Sequence, residues 1–261
     1  MTQMQKGDFS LHYTIEGAAD APVLVLSNSL GTDLAMWAPQ MDALRAQFRV
    51  VRYDTRGHGQ SSVTPGPYTV AQLGQDVIDL LDHLEIASAH FCGLSMGGMT
   101  GMWLATHYPE RINRLVLANT AAKIGTPEAW NSRIATVNST GLAAIIPGVM
   151  ERWFTAGFRA REAQAVEAIA TGLLRTSPDG YNANCAAVRD MDQRDTIEAI
   201  RAPTLVIAGT HDLATPPAGG QFVAATIPGA TFIELDAAHL SNIEQPEAFT
   251  DAVLHFLNQG H

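Results

Sequence analysis

Short apolar runs alternate with stretches of helical periodicity along most of the chain. Val23–Ser27, Phe48–Arg52, Ala89–Cys92, Leu115–Ala118, Thr204–Ala208 and Thr231–Leu235 are rich in apolar and β-branched residues. Strands of this kind, separated by helices, predict a mostly parallel sheet covered on both faces. The helical patterns include Val70–Leu84, Thr100–His107 and Glu247–Asn258, and "TPGPY" (Thr64–Tyr68) supplies turn chemistry ahead of the first.

After Asn119 the rhythm changes. Strand signals fade, and Ala-rich amphipathic segments such as "EAQAVEAIATGLLR" take over until about Arg201. The expectation is an α/β core formed by residues 1–120 and 201–261, with 121–200 inserted as a helical cap over the carboxyl edge of the sheet. "TPEAWNSRIATV" reads as a helix start within that cap, with Thr126 as N-cap and Pro127 in the first turn.

Composition narrows the classes. The formal net charge is −10, which argues against a nucleic-acid surface, since that needs a basic patch. Any anionic ligand would therefore need local positive charge. No apolar run approaches the roughly 20 residues that span a bilayer, and "MTQMQKGDFS" lacks the apolar region of a signal peptide. Cys92 and Cys185 form no disulfide framework, so a reducing cytoplasm is the expected setting.

The candidate chemistry centres on "HFCGLSMGGMTG", in which Gly93-Leu94-Ser95-Met96-Gly97 reads G-x-S-x-G between an apolar strand and a helical pattern. A serine at so sharp a strand-to-helix turn is held beyond the strand end, at the positive end of the next helix. Its hydroxyl needs a base, and the base needs an acceptor to fix its tautomer. Among the histidines, His12, His83, His90, His107 and His255 fall inside expected strands or helices, and His261 is terminal. His58, in "YDTRGHGQS", reads as structural. His239 instead follows the last expected strand in "DAAHLSNIEQP". Ligands of open parallel sheets bind beyond carboxyl strand ends, so His239 is the candidate base.

Asp212, in "AGTHDLATPP", follows Thr204–Ala208 and is the candidate acid; Asp236 is its rival, and Asn119 leaves the position after Leu115–Ala118 without a carboxylate. The chain order Ser95, Asp212, His239 is that of α/β-hydrolases. For a developing oxyanion, the backbone N–H of Met96 is one expected donor and that of Leu30, in "SNSLGTDLAMW", the other. That loop carries Asn28-Ser29 where the fold commonly has His-Gly. The histidines and cysteines show no metal-ligand spacing, and no G-x-G-x-x-G follows a strand.

Taken together, "NSLGTDLAMW", "RYDTRGHGQSS", "GPYTVAQLGQDV", "HFCGLSMGGMTG", "RLVLANTAA", "NCAAVRDMD", "PTLVIAGTHDLATPP" and "AAHLSNIEQP" resemble the 3-oxoadipate enol-lactonase family of α/β-hydrolases, from about Leu11 to Phe256. The resemblance implies hydrolysis of a small anionic lactone to 3-oxoadipate, in bacterial aromatic catabolism, without metal or organic cofactor. A general carboxylesterase, a carbon–carbon bond hydrolase or a perhydrolase of this fold would use the same three residues, and the fold also serves non-catalytic binding proteins. The substrate's carboxylate calls for a cap arginine. Trp130, Ile134 and Val137 form one apolar stripe, and Arg133 falls roughly 60–70° from its centre, at the edge of a face turned to the pocket. Arg152 falls about 130° from the stripe of Val149, Met150, Trp153 and Phe154, which points it to water. Trp130, Arg133 and Trp153 are the expected substrate contacts.

Overall fold

A computed structural model describes residues 2–259; His261 lies outside the described residues. Eight strands form one sheet: β1 (Gln3–Lys6), β2 (Phe9–Glu16), β3 (Val23–Ser27), β4 (Arg49–Tyr53), β5 (Ala89–Leu94), β6 (Ile112–Ala118), β7 (Thr204–Gly209) and β8 (Thr231–Leu235). Their order is β1-β2-β4-β3-β5-β6-β7-β8. β1 and β2 pair antiparallel, as do β2 and β4, and every later pair is parallel.

The six expected strands appear, with ends shifted by a few residues. β1 and β2 are not among those six apolar runs, because continuous apolar runs do not mark a strand that is apolar on one side. In β2, Phe9, Leu11, Tyr13 and Ile15 alternate with Ser10, His12, Thr14 and Glu16, the period-two signature of a partly covered antiparallel strand. By contrast β5 is buried at every position, and Leu24, Val25 and Leu26 of β3 have no exposed surface. Burying each such side chain contributes about 1.5–3 kcal/mol, so β3 and β5 anchor the centre of the sheet.

Between β6 and β7 run the helices Pro127–Thr140, Ile146–Trp153, Ala156–Arg161, Ala163–Arg175 and Pro178–Asp190. The first has Thr126 as its N-cap, accepting from the N–H of Ala129, and Pro127 in its first turn. These helices meet the loops beyond the carboxyl ends of the strands. Tyr68 N–H donates to Ala183 O at 3.1 Å and Leu240 N–H to Trp153 O at 3.1 Å. Asn184 Nδ2 donates to Arg56 O at 2.8 Å. Among the described residues no helix is long and apolar enough to cross a membrane.

Candidate active site

Ser95 stands where β5 turns into the helix Met96–His107, with φ 58° and ψ −115°. A non-glycine residue held in so sparsely populated a region costs about 1–3 kcal/mol and persists only when its surroundings impose it. Here they do. Ser95 N–H donates to Ala118 O at 2.9 Å, and Ser95 O accepts from Thr120 Oγ1 at 2.8 Å. The flanking glycines permit the approach: a Cβ on Gly93 would lie 2.2 Å from Gly97 O, and one on Gly97 2.2 Å from Ser27 O. The Ser95 side chain makes no capping bond to the helix and lines a cavity of about 210 Å³. Drug-sized ligands occupy roughly 300–1,000 Å³, so this cavity suits a smaller molecule.

His239, in the loop after β8, lines the same cavity. Its Nδ1 bonds Asp212 Oδ2 at 2.8 Å, which leaves Nε2 as the ring nitrogen available to the cavity. Both side chains are almost fully buried. Asp212 Oδ2 also accepts from Thr215 Oγ1 at 2.6 Å and Asn119 Nδ2 at 3.0 Å. Its Oδ1 accepts from the N–H groups of Ala214 at 2.8 Å and Thr215 at 2.9 Å. Burial pushes this carboxyl up, but the charge and hydrogen bond of His239 and the Thr215 hydrogen bonds outweigh it and hold Asp212 below the usual carboxylate range. Asp236 is exposed and bonds His211 Nε2 at 2.9 Å instead.

Leu30 and Ser29 line the cavity from the loop after β3. Met96 is the first residue of the helix after Ser95. Among the described residues, neither the Leu30 nor the Met96 N–H is engaged in a hydrogen bond. The loop around Leu30 is fixed in advance. Asn28 Nδ2 donates to Tyr53 O at 2.8 Å and Asn28 Oδ1 accepts from Trp37 Nε1 at 2.9 Å. Gly31, at φ 83°, donates its N–H to His58 Nε2 at 2.8 Å. The structural role expected of His58 thus has a specific form: its neutral ring props the loop that presents Leu30.

Burial pushes His58 down to about 4, against smaller upward effects from the Arg56 carbonyl and the Asp54 charge. The folded value lies below the usual 6.5, so the unfolded chain takes up the proton first as the pH falls. The resulting stability is present above pH 6.5 and is lost as the pH falls towards 4. At about 1.36 kcal/mol per pH unit the loss is on the order of 3 kcal/mol. Thermal midpoints of the wild type should therefore drop between pH 6.5 and 4 more steeply than those of His58→Gln. Parallel curves would remove His58 as the cause.

The cap closes the cavity with Trp130, Arg133, Arg152 and Trp153. Arg133 stacks on Trp130, its guanidinium carbon 4.9 Å from the ring centroid. The Trp153 ring lies 6.2 Å from that of His239. Arg152, expected to face water, is half-buried and lines the cavity. The helix angle was sound, but a face turned from the apolar core can look into a cavity as readily as into solvent. Burial lowers Arg152 below the usual arginine value, and the charge of Arg133 lowers it further, so the two guanidinium groups feel each other. Neither forms an ion pair among the described residues.

Sequence reasoning overlooked three residues. Asn119 carries no carboxylate, yet it donates to Asp212 and to Ala238 O at 3.1 Å and accepts from Ser241 Oγ at 2.5 Å. Its place directly after β6 was the available signal. Thr215, three residues beyond Asp212, could have been read as an Asp-Thr turn. Glu244 receives the Ala238 N–H at 2.9 Å and also bonds Thr155 of the cap; nothing local marks it. Among the described residues no group of three or more His, Cys, Asp or Glu could hold a metal ion.

A hydroxyl, an imidazole and a carboxylate arranged in this way can carry out nucleophilic acyl transfer. The family model described as alpha/beta hydrolase fold matches residues 22–194, and one described as TAP-like protein matches residues 176–261. The chain is 48% identical to 3-oxoadipate enol-lactonase 2 of Acinetobacter baylyi, over 94% of this chain and 92% of that protein. The crystal structure of the enol-lactonase from Burkholderia xenovorans LB400 superposes with a TM-score of 0.97 at 49% identity, covering 99% of this chain and 100% of that one. A malate-bound thermophilic esterase from Thermogutta terrifontis gives a TM-score of 0.90 at 31% identity, over 96% and 94% of the two chains.

Proposed function

The chain belongs to the alpha/beta hydrolase fold family, and from that premise we propose that it hydrolyses 3-oxoadipate enol-lactone to 3-oxoadipate, a step of aromatic-compound catabolism, through an acyl-enzyme. The observation that carries the substrate is the pair of arginines, Arg133 and Arg152, which lack an ion-pair partner among the described residues and line, from the cap, the cavity that Ser95 and His239 also line. In a chain of net charge −10, that is the local positive field a small carboxylate requires. The identities with named enol-lactonases support the same reading. The free, buried Cys92 and Cys185 support a reducing, cytoplasmic setting.

Ser95 Oγ attacks the lactone carbonyl carbon while His239 Nε2 takes its proton. The carbonyl oxygen becomes an oxyanion facing the N–H groups of Leu30 and Met96. Collapse of this intermediate breaks the ring C–O bond, and the departing enolate oxygen takes the proton from His239. The enol stays attached through the carbon chain and tautomerises to the ketone. Water then gives a proton to His239 and attacks the acyl carbon. Ser95 leaves, recovers the proton, and the dicarboxylate is released.

Ultraviolet loss of the enol-lactone, measured beside simple esters, tests the substrate. Turnover of esters alone would favour a general carboxylesterase, as the likeness to the Thermogutta terrifontis esterase allows. Turnover of neither would favour a binding protein.

An anion between Arg133 and Arg152 relieves their mutual repulsion as well as gaining charged hydrogen bonds. Arg133→Ala is expected to weaken productive binding of the anionic lactone by about 1.5–3 kcal/mol, the range for hydrogen bonds to charged groups. A neutral ester should be much less affected, and Arg152→Ala should show the same selectivity. Equal losses in kcat/KM on both substrates, or no loss on the lactone, would take the arginine out of the carboxylate site.

A further inference from the structure

Both chain neighbours of His239 are tied to one short piece of the cap. Leu240 N–H donates to Trp153 O at 3.1 Å. Ala238 N–H donates to Glu244 Oε2 at 2.9 Å, and the same carboxylate accepts from Thr155 twice, from its N–H at 3.3 Å and from its hydroxyl. The cap piece that makes these bonds, residues 153–155, contributes Trp153 to the wall of the cavity and directly follows Arg152, which also lines it.

Glu244 is 7% exposed and has no ion-pair partner among the described residues. A buried carboxylate without a countercharge is costly unless hydrogen bonds offset it. Here those bonds come from the loop of the base on one side and from the cap on the other. The peptide ahead of His239 is thereby held at both ends, since Ala238 O accepts from Asn119 Nδ2 at 3.1 Å. Without Glu244 that carbonyl keeps its anchor while the Ala238 N–H loses its own. The cap has further anchors, Tyr68 N–H on Ala183 O and Asn184 Nδ2 on Arg56 O, so the loop of the base loosens more than the cap does.

We propose that Glu244 is a positioning residue whose carboxylate clamps the His239 loop to the cap, so that the imidazole that takes the Ser95 proton and the cap segment beside Arg152 form one hydrogen-bonded unit. The proposal rests on His239 serving as the base for Ser95 but not on the identity of the substrate. Glu244 is not among the residues lining the cavity and transfers no proton; it acts through His239. Its effect is orientation, and a displacement of about 1 Å at a reacting group can cost on the order of 10²-fold.

The test compares Glu244→Ala with Glu244→Gln. The amide keeps the clamp: its oxygen accepts both N–H groups, and its NH₂ donates to the Thr155 hydroxyl, which can turn its own proton away. Each variant is assayed on the enol-lactone and on p-nitrophenyl acetate at a temperature where circular dichroism shows it fully folded. The low-field proton resonance of the His239–Asp212 hydrogen bond is recorded alongside. Glu244→Ala should lower kcat about 10- to 100-fold on both substrates, with KM within about threefold, and should broaden or abolish the resonance. Glu244→Gln should keep kcat within about threefold of wild type and the resonance in place. Thr155→Val removes the hydroxyl at the cap end of the clamp. It should lower kcat about fivefold alone but less than about twofold in the Glu244→Ala background, because members of one network do not act additively. The assignment is overturned by Glu244→Ala turnover within about twofold of wild type, by an unchanged resonance, or by a loss confined to KM or to the lactone. Equal losses in Glu244→Gln and Glu244→Ala, or additive losses with Thr155→Val, overturn it as well. If the wild type turns over the ester but not the lactone, the substrate reading fails, while the ester data still decide the role of Glu244. If it turns over neither, the rate at which a fluorophosphonate adds to Ser95, which needs the same base, makes the comparison.

Discussion

Ser95→Ala should abolish lactone hydrolysis while leaving the fold in place, with turnover falling on the order of 10⁶-fold, as when triad members are removed from other serine hydrolases. The size of the effect follows from what remains. Without Oγ no acyl-enzyme forms, and the donors of Leu30 and Met96 can only polarise the carbonyl for direct attack by water. The structural cost is small. The Ser95 side chain makes no capping bond to its helix, and the anchors of the turn are the backbone bonds to Ala118 and Thr120. Alanine retains both bonds and can be forced into the same backbone conformation. Circular dichroism and the thermal midpoint should therefore match wild type, and a fluorophosphonate that adds mass to the wild type should leave the variant unmodified. Lactonase activity within tenfold of wild type would end the serine-nucleophile account.

The parts of the site legible in the sequence were those tied to strand ends. Ser95, Asp212 and His239 each follow a run whose apolar character is local, and the topology of a parallel sheet brings those ends to one edge. β2 is not among the apolar runs because its signal is alternation rather than apolar continuity, and β1 has one apolar residue, Met4. Arg152 was misplaced for a different reason. Helical periodicity identifies the face away from the core, but whether that face meets solvent or a cavity depends on packing between segments far apart in sequence. The bonds made by Asn119 and Glu244 are of the same kind, joining residues across β6, β8 and the cap.

The acid at position 212 is the second large effect, and its surroundings explain why an amide cannot replace it. Both carboxylate oxygens receive donors only: His239, Thr215 and Asn119 on Oδ2, and two backbone N–H groups on Oδ1. An amide must turn its NH₂ towards one of these sets. Facing Ala214 and Thr215, it meets backbone N–H groups that cannot become acceptors. Facing His239, it meets an imidazole that can accept at Nδ1 by moving its proton to Nε2, and a threonine hydroxyl that can rotate. The second arrangement is therefore favoured, and it leaves Nε2 protonated and unable to take the Ser95 proton. Asp212→Asn should lower kcat by about 10⁴-fold, the scale seen when an amide imposes the wrong tautomer in a serine protease. Asp236→Asn removes only an exposed partner of His211, worth about 0–1 kcal/mol as a surface pair, and should leave kcat within twofold. Steady-state kinetics of the two variants on one substrate decide the matter, and the reverse ranking would move the acid from Asp212 to Asp236.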